Sequence, residues 1–411
     1  MKKLNLLFIS IAFPPKKDSE SLQVAKYFKY LINSEKFNVD VVTSSNPTLF
    51  MPVDESLNHF AEGCRQLIEV RFFENKYLNY FWRKVFPWVI SRPDSKHKFH
   101  KNWKWVAGEI KNKPDIIYSR SFPISSAVMA YHLSVFFDVP WILHLSDPWT
   151  ESPVHSIHGA RQWNETMEAQ CFRRASVISF TSPKTINVYA EKYPGLMSKM
   201  AFFPNVYDTN DSKSRPWVKG KTIKIVYTGG LVGDRTPVAF INAMRKLNVL
   251  RPDVAKDLEV VFAGSLDRIN TEFFAEKNIG IKHVGCLSFS DALDLQNTAD
   301  MLLLIDLHFE NAKDAMFFPS KLLDYMLAKR RVIAITDEDS TTWQVVEDGL
   351  LGDCARHADI ARIMLLLVNA WNAWNANQRD YFELKAANSA YSAEFNADKL
   401  SSELQRVYDE K

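Results

Sequence analysis

The sequence predicts an α/β protein of two domains, each built on a doubly wound parallel β-sheet, with the two domains facing a cleft. Three observations support this prediction. The chain has 411 residues, which is too long for one ordinary core and suits two domains. Short apolar runs of strand length alternate with segments of helical periodicity along the chain. A polar stretch without apolar periodicity, residues 208–216, separates two such series.

The first series predicts an N-terminal domain, residues 1–207. Its apolar start is similar to a signal peptide, but no small-residue cleavage site follows and a proline pair comes directly after it. We therefore interpret it as a buried first strand of a parallel sheet. Helical spacing of apolar residues predicts a helix over 21–32. The predicted strands are 4–11, 39–43, 116–119, 141–145, 177–181 and 201–205.

The second series predicts a C-terminal domain, residues 217–388. A polar helical segment, 389–411, ends the chain, and we expect it to pack back on the N-terminal domain. No segment reaches the roughly 18 uninterrupted apolar residues of a membrane-spanning helix. The predicted strands are 223–227, 258–262, 281–284, 301–305 and 332–335.

Composition argues against several functional classes. The hydrophobic content of 46% and charged content of 24% are ordinary for a globular protein. A net charge of +3 over the whole chain argues against a nucleic-acid partner. The cysteines have no short spacing, which indicates neither a zinc site nor a disulfide framework and is typical of a reducing, cytoplasmic compartment. The four cysteines are Cys64, Cys171, Cys286 and Cys354.

Ligands of open parallel sheets bind at the carboxyl ends of the strands, so the loops there are the candidate sites. In the C-terminal domain, Gly229 and Gly230 follow the first strand and let backbone N–H groups approach a phosphate. Arg235, in the same loop, is suited to bidentate phosphate contacts. Gly264 follows the second strand, and the loop 285–289 is a candidate frame for a nucleobase. Each of these loops, taken singly, is explained equally well as a simple connector.

The strongest segment is 317–334. Pro319 suits the first turn of a helix, which places Ser320 and Lys321 at that helix's N-terminus. The helix dipole disfavours a cation there, unless an anion binds at the same place. Asp324 lies on the same helical face as Lys321 and is suited to accept hydrogen bonds from ribose hydroxyls. The alternative is a surface Lys321–Asp324 pair, worth about 0.2–0.5 kcal/mol.

The run Pro-Ser-Lys-Leu-Leu-Asp-Tyr-Met-Leu-Ala, 319–328, resembles the nucleotide-sugar motif of GT4-like bacterial glycosyltransferases. The runs 225–230, 118–123 and 141–149 resemble further stretches of these enzymes. The resemblance implies the GT-B fold of two Rossmann-like domains. It also implies transfer of a sugar from a nucleotide diphosphate donor to a hydroxyl of a glycan or lipid-linked acceptor in cell-surface polysaccharide synthesis.

By this resemblance Lys321 and Arg235 hold the donor diphosphate and Asp324 holds the ribose. The family carries paired acids eight positions apart, whereas this chain has Met316 at the first position and Asp324 at the second. The first acid usually contacts the transferred sugar, so Met316 at its position favours a non-catalytic alternative. Two alternatives to the transferase are open. These are a nucleotide-sugar epimerase of the same architecture and a non-catalytic nucleotide-sugar-binding protein. No Asp-x-Asp motif lies in a suitable loop, so we expect no metal and no other cofactor in the transfer.

In the N-terminal domain, His144 and Asp147 lie at the end of the strand predicted at 141–145. A histidine titrating near neutral pH suits proton transfer, and a carboxylate suits holding or deprotonating an acceptor hydroxyl. Asp147 before a proline is equally typical of a turn. Arg120 follows another strand and suits an anionic acceptor or the donor phosphates. Ser19 lies in the first-strand loop, which faces the same cleft.

The segment 71–105 combines charge and aromaticity, with nine Lys or Arg, two acidic residues and eleven Phe, Tyr or Trp. Such a mixture suits an anionic membrane surface, where aromatic rings lie at headgroup depth. Stacking on single-stranded nucleic acid and packing of the rings into the first domain are the alternatives. We favour peripheral docking on the inner face of the membrane, which presents a lipid-linked or cell-surface acceptor.

Overall fold

The computed structural model describes residues 3–45, 53–152, 159–211, 214–275, 279–311, 314–384 and 389–411. The chain divides into two compact units, the first formed by Met1–Val206 with Ala390–Lys411 and the second by Tyr207–Ser389. Each unit contains one sheet whose strand pairings are parallel, with helices in the connections. The predicted α/β class with two doubly wound sheets is confirmed.

The sheet of the first unit has seven strands. They are β1 (Leu4–Ile9), β2 (Phe37–Ser44), β3 (Gln66–Val70), β4 (Ile116–Ser121), β5 (Trp141–Leu145), β6 (Val177–Phe180) and β7 (Met200–Phe202). Their order is β3-β2-β1-β4-β5-β6-β7. The chain therefore runs outward from β1 and restarts at β4 beside it, which makes β1/β4 the switch point of this sheet.

Both faces of the first sheet are buried. Along β1, Leu7 and Ile9 belong to one hydrophobic cluster, while Leu6 and Phe8 belong to another on the opposite face. This two-sided burial explains the near-continuous apolar run at the start of the sequence. The helices of this part are α1 (Ser19–Asn33), α2 (Lys76–Val85), α3 (Pro87–Ile90), α4 (Lys98–Lys101), α5 (Trp103–Glu109), α6 (Ser125–Phe137), α7 (Arg161–Arg174) and α8 (Pro183–Lys192).

The sheet of the second unit has six strands in the order β10-β9-β8-β11-β12-β13, with its switch point at β8/β11. The strands are β8 (Ile223–Thr228), β9 (Leu258–Ala263), β10 (Ile281–His283), β11 (Met301–Ile305), β12 (Arg331–Ile335) and β13 (Gly352–Ala355). The helices are α9 (Val238–Leu250), α10 (Pro252–Ala255), α11 (Arg268–Glu272), α12 (Phe289–Asn297), α13 (Lys321–Ala328), α14 (Thr341–Asp348), α15 (Ile360–Asn375) and α16 (Arg379–Phe382).

The final helix, α17 (Ala393–Asp409), belongs to the first unit. Its apolar stripe, including Leu400 and Leu404, joins the buried cluster that contains Tyr27 and Phe28 of α1. Because only one face of α17 is buried, the segment is polar overall but has apolar residues at helical spacing. None of the helices in the described part of the chain has the length and apolarity needed to cross a lipid bilayer.

Several boundaries differ from the sequence prediction. Strands β3 and β13 were not predicted, because only Ile68 and Val70 of the edge strand β3 are buried and β13 is only four residues long. The first strand ends at Ile9 rather than at residue 11, and β7 ends at Phe202 rather than at residue 205. The stretch 208–216 is not a fully exposed linker, since Asp208 is buried and a 3₁₀ turn follows it.

Candidate active site

Glycines bring the loops after β8 and β9 into contact. A Cβ atom added to Gly264 would lie 2.0 Å from the carbonyl oxygen of Gly229, and both glycines have positive φ, 143° and 126°. A Cβ atom on Gly230 would lie 2.9 Å from Oγ of Ser265. Only glycine permits this backbone approach together with these φ values. Gly229 and Gly264 are therefore required by the packing of the two loops.

Two of the expected phosphate-binding amides are used by the fold itself. The N–H of Gly229 donates to the carbonyl of Ala263 over 2.8 Å, and the N–H of Gly264 donates to the carbonyl of Gly285 over 2.8 Å. The amide of Gly230 has no such partner among the described residues. Sheet-like bonds between neighbouring strand ends thus occupy the amides of Gly229 and Gly264, so the expected approach of a loop amide to a phosphate stays a prediction for Gly230.

Helix α13 is anchored at the switch point of its sheet by Tyr325. The hydroxyl of this buried tyrosine accepts a hydrogen bond from the N–H of Thr228 over 3.2 Å and donates to the carbonyl of Leu303 over 3.0 Å. The helix begins at Lys321, so Pro319 precedes it rather than lying in its first turn. The reason is a tighter turn, in which the carbonyl of Pro319 accepts from the N–H of Leu322 over 3.0 Å.

Lys321 is directed at the glycine loop from the N-terminus of α13. Its Nζ donates to the hydroxyl of Tyr227 over 2.8 Å and lies 4.2 Å from the centre of that ring. A Cβ atom on Gly229 would lie only 2.6 Å from Nζ. Burial and, after it, the charge of Arg235 lower the pKa of Lys321 to about 7 against the opposing charges of the nearby acids. This ammonium therefore lacks sufficient negative charge around it.

Arg235 is the second cationic side chain beside the glycine loop that follows β8. Its Nη2 lies 3.9 Å from Oδ1 of Asp306, the residue that directly follows β11. Its Nε is buried and has no hydrogen-bond partner among the described residues. Buried donors are normally satisfied, so an unpartnered guanidinium nitrogen indicates a place for an acceptor. Lys321 and Arg235, predicted from separate motifs, thus share one electrostatic environment.

Asp324 and Met316 lie on either side of Lys321 in the sequence and have different surroundings. Asp324 is half-buried and close enough to Lys321 for its carboxylate to favour the charged lysine. Met316 is 2% exposed, and its carbonyl accepts a hydrogen bond from the hydroxyl of Thr341 over 3.1 Å. The side chain at the position of the family's first acid is therefore packed in the interior. Ser320 is half-buried and makes no side-chain cap to α13.

The switch point of the first sheet carries a buried ion pair that the sequence did not indicate. Nε of Arg120 lies 2.9 Å from Oε1 of Glu20, and its Nη2 donates to Oδ1 of Asn205 over 2.7 Å. The hydroxyl of Ser146 donates to the same Oε1 over 2.6 Å. Burial raises the pKa of Glu20 to about 7 against the opposing charge of Arg120, with a small upward contribution from Asp147. Glu20 therefore titrates near neutral pH.

The two predicted catalytic residues of the first unit have different surroundings. His144 is fully buried; its Nδ1 lies 3.0 Å from Oγ of Ser179, and its Nε2 has no partner among the described residues. Burial, reinforced by Arg120, lowers the pKa of His144 well below its usual value, so the expected titration near neutrality is wrong. Asp147 is half-buried after β5 and close enough to influence Glu20. Ser19 is exposed at the start of α1.

Position in the fold, rather than a motif, is the signal that identifies Glu20. It lies in the first turn of α1, the helix that follows β1 at the switch point. Asp18 caps this helix by accepting hydrogen bonds from the N–H groups of Glu20 and Ser21, each over 3.0 Å. The cap directs the Glu20 side chain toward the ends of β4 and β5, where Arg120 and Ser146 are found. Arg120 is thus engaged within the first unit.

Comparison with known proteins identifies the fold. No protein-family model matches the chain, and no curated protein matches its sequence significantly. Among solved structures, a UDP-forming α,α-trehalose-phosphate synthase from Burkholderia vietnamiensis is similar, with TM-score 0.64, 11% identity and 100% of both chains covered. A glycosyltransferase from Rickettsia africae has TM-score 0.62, 12% identity and 99% coverage of both chains. A UDP-N-acetylglucosamine 2-epimerase has TM-score 0.59 and 12% identity, covering 100% of this chain and 98% of its own.

These similarities lie below the identity at which function transfers, and they establish the GT-B fold. The fold is shared by glycosyltransferases and by nucleotide-sugar epimerases, so it does not choose between these reactions. The choice has to come from the side chains of the site.

Proposed function

We propose that this protein is a glycosyltransferase that uses a nucleotide diphosphate sugar as donor. The observation that carries the proposal is the pair formed by Lys321 and Arg235 beside the glycine loops of the second unit. Lys321 has a pKa lowered to about 7, and Arg235 keeps a buried nitrogen that has no partner among the residues the structure describes. A diphosphate satisfies both groups at once, because its oxygens accept hydrogen bonds and its charge compensates both cations.

The same pair explains how the reaction is assisted. Negative charge grows on the diphosphate as the bond to the sugar breaks, and fixed cations stabilise that charge most when they are already in position. Lys321 is held by Tyr227, and α13 is held by Tyr325, so Lys321 does not have to reorganise. We propose that transfer itself needs no metal, because these side chains and the first turn of α13 supply the positive potential. Asp324 is proposed to bind the ribose.

For the acceptor side we propose Asp147 as the residue that holds or deprotonates the attacking hydroxyl. Glu20 is added to this role, because a carboxyl group with a pKa of about 7 exchanges protons readily at physiological pH. His144 is better regarded as a neutral, buried residue that supports β5. The acceptor proposed from the sequence is a glycan or a lipid-linked sugar in cell-surface polysaccharide synthesis.

Product analysis tests the reaction. The purified protein is incubated with UDP-, GDP- and ADP-sugars and a panel of glycan and lipid-linked acceptors, and products are identified by mass spectrometry. We expect glycosylated acceptor and free nucleotide diphosphate in equal amounts. An isomerised donor formed without acceptor would favour the epimerase, for which the near-neutral pKa of Glu20 is the supporting observation. Donor binding without any product would favour the non-catalytic alternative suggested by Met316.

We also propose that α2 and α3 dock the protein on an anionic lipid surface at the inner face of the membrane. We call their large exposed side chains the aromatic patch. They include Tyr77 at 72% exposure, Tyr80 at 61% and Phe81 at 50%, with Phe86 and Trp88 at 39% each. Arg83 and Lys84 lie on the same short segment and are exposed. Exposed rings combined with basic side chains match the headgroup region of an anionic bilayer.

Sedimentation with vesicles tests the aromatic patch. We expect binding to vesicles containing 30% anionic phosphatidylglycerol, weak binding to pure phosphatidylcholine, and loss of binding in the double variant Phe81→Ser/Trp88→Ser. Phe395→Ser is the matched control, since Phe395 is 55% exposed on α17. Equal behaviour of both variants would contradict the proposal. A concentration-dependent dimer that is lost only in the double variant would assign the patch to a second copy of the chain instead.

A further inference from the structure

Three side chains at adjacent strand ends of the second unit form a cluster outside the diphosphate site. His308 follows β11, Asp337 follows β12 and His357 follows β13, each by two or three residues. These strands are consecutive in the sheet, so their carboxyl ends bring the three residues together. One nitrogen or oxygen atom from each side chain lies within 4.8 Å of the other two.

The geometry of the cluster is partly fixed. Nδ1 of His308 lies 2.7 Å from Oδ1 of Asp337, and Nε2 of His357 lies 4.0 Å from the same oxygen. The other carboxylate oxygen of Asp337 accepts a hydrogen bond from the N–H of Phe309 over 2.9 Å. This bond orients the carboxylate toward the two imidazoles. The ring centres of the histidines are 5.1 Å apart.

An ordinary hydrogen-bonded His308–Asp337 pair does not account for His357. The side chain of His357 is 15% exposed, and its Nε2 is buried without a hydrogen-bond partner among the described residues. Buried imidazole nitrogens usually have a partner, so this one calls for an explanation.

We infer that His308, Asp337 and His357 bind a divalent first-row transition-metal ion of the Zn²⁺ type. Two imidazoles and one carboxylate are a donor set that Zn²⁺ uses, with further positions left for water or another ligand. Hard cations such as Mg²⁺ and Ca²⁺ prefer oxygen ligands and are disfavoured here.

Binding requires only a modest rearrangement. Ligand atoms about 2.0–2.2 Å from a tetrahedral Zn²⁺ lie roughly 3.3 Å from each other, so the 4.0 Å separation of Asp337 and His357 contracts by less than an ångström. His308 has a side chain that is 56% exposed, so it can turn toward the ion. Its Nδ1 either exchanges the proton shared with Asp337 for the metal or, after a ring flip, coordinates through Nε2.

This inference is independent of the proposed reaction, because the cluster shares no residue with the pair Lys321 and Arg235. The residue between the two places is Asp306, which lies 3.9 Å from Arg235 and whose charge also acts on His357. The ion would join the loops after β11, β12 and β13. We therefore expect metal binding to raise the thermal stability of the protein, since a ligand that binds the folded state stabilises it.

The test measures the metal directly. Tag-free protein carrying Cys286→Ser, which removes the exposed thiol, is dialysed against Zn²⁺ or Co²⁺, and bound metal is measured by elemental analysis. We expect one equivalent bound with micromolar or tighter affinity, accompanied by a rise in Tm. The variants His308→Ala and Asp337→Asn should each weaken binding by more than about 100-fold, beyond the roughly 10- to 100-fold that loss of an outer-shell partner costs. His59→Ala, at an exposed position of the first unit, is the matched control.

Reciprocal variants separate this inference from the proposed function. Lys321→Met should lose nucleotide diphosphate and keep the metal, while His308→Ala should lose the metal and keep UDP affinity within about threefold, given that the two places share no ligand. The imidazole NMR signals of His308 and His357 should shift on addition of Zn²⁺. The inference is overturned if the folded protein binds no metal at 100 µM. It is equally overturned if His308→Ala and Asp337→Asn bind metal as the parent protein does.

Discussion

The affinity for UDP should depend steeply on pH, because Lys321 is largely uncharged above neutral pH in the free protein. Burial and Arg235 hold its pKa near 7, whereas a bound diphosphate returns it to its ordinary range or above. Binding above pH 7 therefore requires uptake of a proton. The diphosphate itself is fully ionised in this range, since its last ionisation lies near pH 6, so the change reports on the protein.

The magnitude follows from the fraction of protonated lysine. With a pKa of about 7, that fraction falls from about one half at pH 7 to about one hundredth at pH 9, which weakens binding about 50-fold, or about 2.3 kcal/mol. Isothermal titration calorimetry at pH 7, 8 and 9 measures this change. Repeating the titrations in buffers of different ionisation enthalpy should reveal uptake of about one proton per UDP at pH 8.5.

Lys321→Met keeps the volume of the side chain and removes its charge, so it should bind UDP weakly and with little dependence on pH between 7 and 9. Lys282→Met, at an exposed lysine of the same unit, is the matched control and should behave as the parent protein. Equal UDP affinity at pH 7 and pH 9 in the parent protein would show that the charge of Lys321 does not control UDP binding. The same would follow if Lys321→Met kept the full pH dependence.

Two further predictions concern the structure around the candidate sites. Gly264→Ala places a Cβ atom 2.0 Å from the carbonyl oxygen of Gly229 at a φ of 143°, so unfolding should become easier by about 3 kcal/mol and UDP affinity should fall. Gly108→Ala, with no atom within 4 Å of its added Cβ, is the control in chemical denaturation, and equal destabilisation of the two would contradict this steric account. Glu20 has a raised pKa, so its contribution to stability is full below pH 4.5 and is lost as pH rises through 7. Between pH 5 and pH 8, the free energy of unfolding of Glu20→Gln should therefore rise by up to about 3 kcal/mol relative to that of the parent protein. A difference between the two proteins that does not change with pH in chemical denaturation would contradict this prediction.

The fold was predictable because parallel sheets leave strong patterns. Buried strands such as β1 appear as apolar runs, and the glycine turns after β8 and β9 mark where strands end. The edge strand β3 left no such run, because it alternates buried Ile68 and Val70 with exposed residues. The rule that ligands bind at strand ends directed attention to Lys321 and Arg235, whose shared environment the structure then provided.

The remaining side-chain groupings depend on tertiary proximity that no local spacing encodes. Glu20 and Arg120 are a hundred positions apart and meet because β1 and β4 are neighbours. His308, Asp337 and His357 carry no recognisable ligand spacing and meet only through the order of β11, β12 and β13. The sequence prediction of no metal site rested on the cysteines and on the missing Asp-x-Asp motif, and neither observation bears on this cluster.

The pKa of His144 illustrates a second kind of gap. Its position at the end of a strand placed it at the edge of the sheet where we expected ligands, but burial of the side chain and the charge of Arg120 on a neighbouring strand lower its pKa. The sequence around a histidine can therefore indicate where the residue lies in the fold, but it does not indicate the protonation state of the side chain. Glu20, which has a less distinctive sequence context, has a pKa that burial raises to about 7.

The most direct test of the central claim is a crystal structure of the protein with UDP. We expect the diphosphate beside Gly230, with its oxygens within hydrogen-bonding distance of Lys321 Nζ and the Arg235 guanidinium and with the ribose next to Asp324. UDP bound at another place, or bound here with its phosphates directed away from both cations, would contradict the account.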